Sequence, residues 1–153
     1  NKSSSVVADD ADNGGGENKK PNTGPVKWMA PESLKRTVNT SRSNIKNIIA
    51  TLDDLEDQLN ADASTEEKLV NTSRSNIKSQ RMTASELQET LSTMEYMDKE
   101  TALHEVSRKM TAMNSRFQIL QQSITALGGK YSGISNVLKS RHDIAMNSIR
   151  NMK

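Results

Sequence analysis

The chain has 153 residues, of which 33% are hydrophobic, 3% aromatic and 26% charged, and its formal net charge is +2. This composition provides too little apolar material for a thick globular core and favours a thin, elongated helical protein. The absence of cysteine excludes disulfides, thiolate metal sites and thiol catalysis. Basic and acidic residues are interspersed and aromatic rings are few, which argues against nucleic-acid binding, and no apolar run approaches the roughly 20 residues of a membrane span.

The first 26 residues differ in composition from the rest of the chain. They are rich in Ser, Asp, Asn, Gly and Lys around the run Gly14-Gly15-Gly16. Such a segment cannot offset the entropy of ordering, so we predict a disordered arm over residues 1–26. Pro31 and Glu32 then provide a proline and an acid where the first helical turn favours them, which indicates a helix start.

Residues 27–97 are predicted to form a helical hairpin that contains an internal repeat. The nonapeptide VNTSRSNIK occurs at 38–46 and again at 70–78, and a weaker likeness extends the two copies to 38–59 and 70–91. Ser64 and Glu67 have the spacing of a capping box, which predicts that the second helix begins near residue 65. A solenoid needs at least three repeats, so we interpret the two copies as a tandem duplication that lengthened the hairpin.

Residues 98–153 carry the most regular pattern of the chain. Apolar residues recur in alternating steps of three and four at Leu103, Val106, Met110, Met113, Phe117, Leu120, Ile124, Leu127, Tyr131, Ile134 and Leu138. We call these positions the apolar stripe. A strict period of 3.5 requires packing against another helix, so we predict one long coiled-coil helix from about 98 to 151 whose stripe is the interaction surface. The covering helices belong either to the hairpin or to other chains.

Three glycines interrupt this predicted helix. Gly128, Gly129 and Gly133 each cost about 1 kcal/mol in a helix interior relative to alanine. Two readings stay open from the sequence: the glycines allow a neighbouring helix to approach closely, or they bend or break the helix.

No catalytic, cofactor or metal constellation is recognisable. His104 and His142 lack a second histidine at metal-binding spacing, and we interpret both as solvated. The acidic clusters lack the spacing of a calcium loop. We therefore predict a non-enzymatic, oligomeric protein without cofactor or metal, whose partners are protein helices of its own or another chain.

Residues 25–34, PVKWMAPESL, resemble the A-P-E end of the activation segment of tyrosine-type protein kinases. The glycine loop, the β3 lysine, the H-R-D loop and the D-F-G of that family are absent from the chain. The resemblance therefore implies no kinase activity. We interpret Trp28 as a docking residue at the start of a helix, with chance convergence as the alternative.

A second resemblance involves the C-terminal part of the chain. Residues 114–125, NSRFQILQQSIT, followed by Lys130-Tyr131-Ser132 and an amphipathic stretch through Ile144 and Ile149, resemble the C-terminal helix of the extracellular filament and needle-tip proteins of bacterial type III secretion. The resemblance implies a secreted structural protein whose C-terminal helix drives polymerisation or seats on the needle. Without it, a cytoplasmic location is expected. The duplication and the kinase-like peptide depart from that family.

Residues 130–138, KYSGISNVL, are also similar to the distal part of a Golgi-type SNARE motif. This similarity implies a coiled-coil adaptor in membrane traffic as the alternative function. Met113 stands where the central polar layer of a SNARE motif belongs, which is a departure from that pattern.

Overall fold

The computed structural model describes Gly24 and residues 26–152. Four helices account for most of this part: α1 Glu32–Ala61, α2 Glu67–Thr93, α3 Lys99–Ala126 and α4 Ser132–Arg150. Short 3₁₀ turns at Lys27–Met29, Met94–Tyr96 and Gly129–Tyr131 precede or connect them, and the described residues contain no strand. The predicted all-α fold is confirmed. The arm predicted over residues 1–26 lies outside the described residues, apart from Gly24 and Val26.

The helices form an up-down-up-down bundle. α1 packs against α2 and α4, α2 packs against α3, and α3 meets α4 less extensively. With 30 residues at 1.5 Å per residue, α1 is about 45 Å long and sets the length of the bundle. Short connections between neighbours of opposite direction are the usual topology of such bundles.

The predicted hairpin corresponds to α1 and α2, with a different cap at its turn. α2 begins at Glu67, close to the predicted start, and Ser64 does not cap it. Ser64 and Thr65 instead donate hydrogen bonds to the carboxylate of Asp62. Asp62 therefore organises the turn that the capping box was expected to organise.

Where the sequence predicts one long helix over 98–151, the structure has two. α3 ends at Ala126, and Gly128 adopts φ 100° and ψ −178°, a backbone conformation that side-chain-bearing residues rarely adopt. The chain reverses at this glycine, so that α4 returns along α1. Of the two interpretations left open for the glycines, the structure confirms the second: the helix is broken at Gly128.

The core runs the full length of the bundle. The apolar residues of α1 that recur in steps of three and four are all buried: Ile45, Ile48, Leu52, Leu55 and Leu59. α4 contributes its own line of buried residues, Leu138, Ala145, Met146 and Ile149. Within the described residues, no helix is long and apolar enough to cross a membrane.

Candidate interaction surface

The apolar stripe lies inside the bundle. Leu103 and Ile134 are half-buried, and the other nine stripe residues are buried: Val106, Met110, Met113, Phe117, Leu120, Ile124, Leu127, Tyr131 and Leu138. Helices of the same chain therefore cover the residues that were predicted to form the interaction surface. Within this single-chain bundle, the large apolar side chains that remain exposed lie off the stripe.

The repeat of α1 and α2 is reproduced in the packing. All nine residues of 38–46 have the same degree of burial as their counterparts in 70–78. Val38, Ser41 and Ile45 are buried in the first copy, as are the corresponding residues of the second. The duplicated sequence therefore places the same face of α1 and α2 toward the core.

A second internal likeness, too weak to be recognised from the sequence, relates α3 to α4. Residues 115–124, SRFQILQQSI, and residues 140–149, SRHDIAMNSI, share Ser-Arg, an isoleucine three residues later, and a final Ser-Ile. Identities at five positions spaced over ten residues are a weak signal in sequence alone. The structure makes the signal visible, because the matched residues occupy equivalent positions in the two helices.

Equivalent contacts occur within each half of the molecule, the pair α1 and α4 and the pair α2 and α3. Arg141 of α4 donates a hydrogen bond from Nη1 to Oγ1 of Thr51 in α1, at 2.6 Å. Arg116 of α3 donates the corresponding hydrogen bond to Oγ1 of Thr83 in α2. The pair α1 and α4 is therefore related to the pair α2 and α3 by an approximate twofold axis across the bundle.

The same relation creates two matching features on the surface. Ile119 is 52% exposed and its equivalent Ile144 is 53% exposed. Each isoleucine is preceded by a serine at four residues and an arginine at three. It is followed by a side-chain amide at three residues and a second serine at four. We define the two isoleucine patches by these residues: Ser115, Arg116, Ile119, Gln122 and Ser123 on α3, and Ser140, Arg141, Ile144, Asn147 and Ser148 on α4.

Hydrogen bonds join two turns at one end of the bundle. The carboxylate of Asp62 accepts hydrogen bonds from the hydroxyl of Tyr131 at 2.5 Å and from Nζ of Lys130 at 2.9 Å, in addition to those from Ser64 and Thr65. Hydrogen bonds from Thr65, Tyr131 and Lys130 hold the pKa of Asp62 well below its usual range. Burial and the bond to Asp62 raise the pKa of Tyr131 to about 12. These contacts, which we call the Asp62 latch, fix the turn between α3 and α4.

At the other end of the bundle, the kinase-like peptide docks on the connection between α2 and α3. Nε1 of Trp28 donates a hydrogen bond to the carbonyl of Met97 at 2.9 Å, and the amide of Val26 donates to the carbonyl of Glu95 at 2.7 Å. Met29 is buried in the core. Trp28 therefore docks on the connection between α2 and α3, in keeping with its interpretation as a docking residue.

The two histidines differ in environment. His104 is exposed, as expected, but His142 is 4% exposed, which corrects its interpretation as solvated. Nε2 of His142 lies 2.8 Å from Oδ1 of Asn114, and burial lowers the pKa of the imidazole to about 4. His142 is therefore neutral at pH 7. Among the residues that the structure describes, no cluster of His, Asp or Glu side chains could hold a metal ion.

Comparison of the chain with protein-family models, with curated proteins and with solved structures gives no match.

Proposed function

We propose that this chain is a non-enzymatic helical assembly protein, and that it works as a secreted filament or needle-tip component of a type III secretion apparatus. The observation that carries the proposal is the pair of isoleucine patches. Each patch presents a half-exposed isoleucine on the outside of a helix whose other face belongs to the core.

The composition of the patches suits a contact between proteins. Interface cores are depleted in charged residues but enriched in arginine, and each patch contains one arginine among hydroxyl and amide side chains. The hydrogen bond to Thr51 already holds Arg141 in place, so the side chain loses little further conformational entropy when it meets a partner. Full burial of an isoleucine side chain contributes about 1.5 to 3 kcal/mol, so covering the exposed half of Ile119 or Ile144 contributes about half as much, and two equivalent patches double that gain for a molecule that joins two neighbours.

The resemblance to filament and needle-tip proteins falls on the same part of the fold. Residues 114–125 include Ile119, and the amphipathic stretch that follows includes Ile144. The segments that carry the resemblance are therefore the segments that carry the patches. This coincidence favours a filament or tip protein over other assemblies of helices.

The test is sedimentation velocity over a series of protein concentrations, with and without a purified type III needle subunit. We expect the wild-type chain to form larger species alone or to bind the needle subunit. The double variant Ile119→Asn, Ile144→Asn should form no species larger than a dimer and should not bind the needle subunit, while its helical circular dichroism is unchanged. Met82→Asn is the matched control, because Met82 is 56% exposed on α2 and lies outside both patches.

Two results would contradict the proposal. The first is a wild-type chain that stays monomeric at every concentration and does not bind the needle subunit. The second is a double variant that assembles as the wild type does.

A further inference from the structure

We propose that the turn between α3 and α4 also opens into one continuous helix, and that the opened chain exchanges α4 with a second copy of itself. The surface that receives the exchanged helix is the side of α1 that packs against α4 in the single chain. This exchange is separate from assembly through the isoleucine patches and does not depend on it.

The spacing of the apolar stripe across the turn is the first observation. Ile124, Leu127, Tyr131, Ile134 and Leu138 continue the alternation of three and four without a slip, although the chain reverses between Leu127 and Tyr131. A turn between two helices does not need to preserve helical phase, because its residues do not lie on one helix. The preserved phase is what a single helix through residues 103–138 requires to keep all its stripe residues on one face.

The conformation of Gly128 is the second observation. The closed turn depends on φ 100° at this residue, whereas a continuous helix requires ordinary helical angles there. Glycine is tolerated in both conformations, at a cost of about 1 kcal/mol relative to alanine in the helix. The residue at the turn therefore permits both forms of the chain, and the Asp62 latch favours the closed one.

The packing of α4 is the third observation, and it identifies the partner. α4 packs chiefly on α1, where Ser148 accepts hydrogen bonds from Ser41 and Asn44 and where Arg141 meets Thr51. A second copy provides the same α1 with the same donors and acceptors. Exchange therefore restores every one of these contacts between copies and changes only the turn, which is the condition for domain swapping at low cost.

Substitutions at the turn test the exchange, in the background Ile119→Asn, Ile144→Asn so that contacts through the patches do not contribute. Gly128→Ala should raise the dimer fraction severalfold at a given concentration, because alanine is strained at φ 100° and favourable in a helix. Gly133→Ala is the matched control. Gly133 is helical within α4 in both forms and nothing lies within 4 Å of its added Cβ, so the dimer fraction should not change.

Gly129→Pro tests the opposite direction. Gly129 is the first residue of the 3₁₀ turn, where proline is tolerated, but proline inside a continuous helix costs about 3 kcal/mol. This variant should remain monomeric at concentrations where the Gly128→Ala variant is dimeric. If Gly128→Ala loses its helical circular dichroism, the comparison of Gly129→Pro with the parent chain decides the question.

A distance measurement identifies the opened form directly. The chain has no cysteine, so cysteines introduced at the exposed positions Gln118 and Lys139 take spin labels without interference. In the closed hairpin these positions lie on neighbouring helices roughly 10 to 20 Å apart, whereas a continuous helix separates them by about 32 Å. Labelled chains diluted with unlabelled chains should show the long distance in the dimer and the short one in the monomer. A dimer with only the short distance, or a Gly129→Pro variant that dimerises like its parent, would overturn the proposal.

Discussion

The rings of Phe117 and His142 stack face to face, with their centroids 4.1 Å apart and their planes 5° from parallel. The two residues are equivalent in the likeness between α3 and α4, so each meets its own counterpart where the approximate twofold axis passes between these helices. A neutral imidazole stacks on phenylalanine without carrying a charge into the core, which is consistent with the burial of His142. The stack and the bond to Asn114 both join α3 to α4.

Stability should fall on mild acidification because of His142. Its pKa is about 4 in the folded chain and about 6.5 when solvated, with Asp143, Lys139 and Arg150 as the charged groups that act on it. The unfolded chain therefore binds more protons between these values, and the contribution of the neutral ring is complete above pH 6.5 and is lost as the pH falls toward 4. The loss amounts to at most about 3 kcal/mol. Urea unfolding of the wild type and of His142→Phe from pH 7 to 4 measures it.

The informative quantity is the difference between the wild type and His142→Phe in the pH dependence of the unfolding free energy, since carboxylates contribute to the pH dependence of both proteins. Equal slopes for the wild type and His142→Phe would show that His142 does not titrate as its burial requires.

We expect the same serine-to-alanine substitution to have opposite effects on stability in the two nonapeptide copies. The hydroxyl of Ser41 donates to Ser148 at 3.1 Å, whereas the equally buried hydroxyl of Ser73 has no hydrogen-bond partner among the described residues. Ser41→Ala should therefore destabilise the chain by about 1 kcal/mol, while Ser73→Ala should be neutral or stabilising by a similar amount. Thermal unfolding of the two variants side by side measures this contrast. Equal losses would mean that the serine of α2 has a partner that the bundle does not show.

The Asp62 latch should be sensitive to removal of its charge. Asp62→Asn weakens the bonds from Lys130 and Tyr131 and should lower the free energy of unfolding. The pKa of Tyr131 should also move down from about 12, since its bond to the carboxylate is one cause of its elevation. Denaturant unfolding and an absorbance titration of tyrosine measure the two effects.

Asp54→Asn is the matched control for this prediction, because Asp54 is an exposed acid on α1, the helix that Asp62 follows. It should leave both the unfolding free energy and the tyrosine titration unchanged. If Asp62→Asn shifts neither quantity, the latch does not contribute to the closed turn.

The kinase-like peptide should act as a structural clamp. Trp28→Phe keeps an aromatic ring but removes the hydrogen bond to Met97, and we expect it to cost about 1 kcal/mol. Lys27→Ala, an exposed neighbour, should have little effect. Trp28 is the single tryptophan of the chain, so its fluorescence reports the docking directly. Emission from the native chain that matches the unfolded chain would contradict the docked position.

The predictions from sequence succeeded where periodicity determines burial. The alternation of three and four located the buried faces of α1 and of the C-terminal helices, because that spacing follows from helix geometry alone. The same pattern could not reveal the break at Gly128. The stripe faces the core on both sides of the turn, and its spacing continues across residues 127–131 as it would in a straight helix.

The candidate surface was harder to predict than the fold. The charged neighbours Arg141 and Asp143 favour a solvated His142, although His142 lies four residues after Leu138 on the line of core positions. The isoleucine patches were missed because Ile119 and Ile144 lie off the stripe, and their relation emerges only when α3 and α4 are compared within the bundle. The sequence also could not specify what covers the stripe, since the hairpin and a foreign helix offer the same kind of apolar face.

The approximate twofold axis has a consequence for genetics. A partner that recognises one half of the molecule meets a near copy on the other half, so damage to either half leaves one usable site. A single-codon change at either isoleucine would thus leave a subunit that joins one neighbour and ends the filament, whereas alteration of both in the same allele would leave a subunit that joins none.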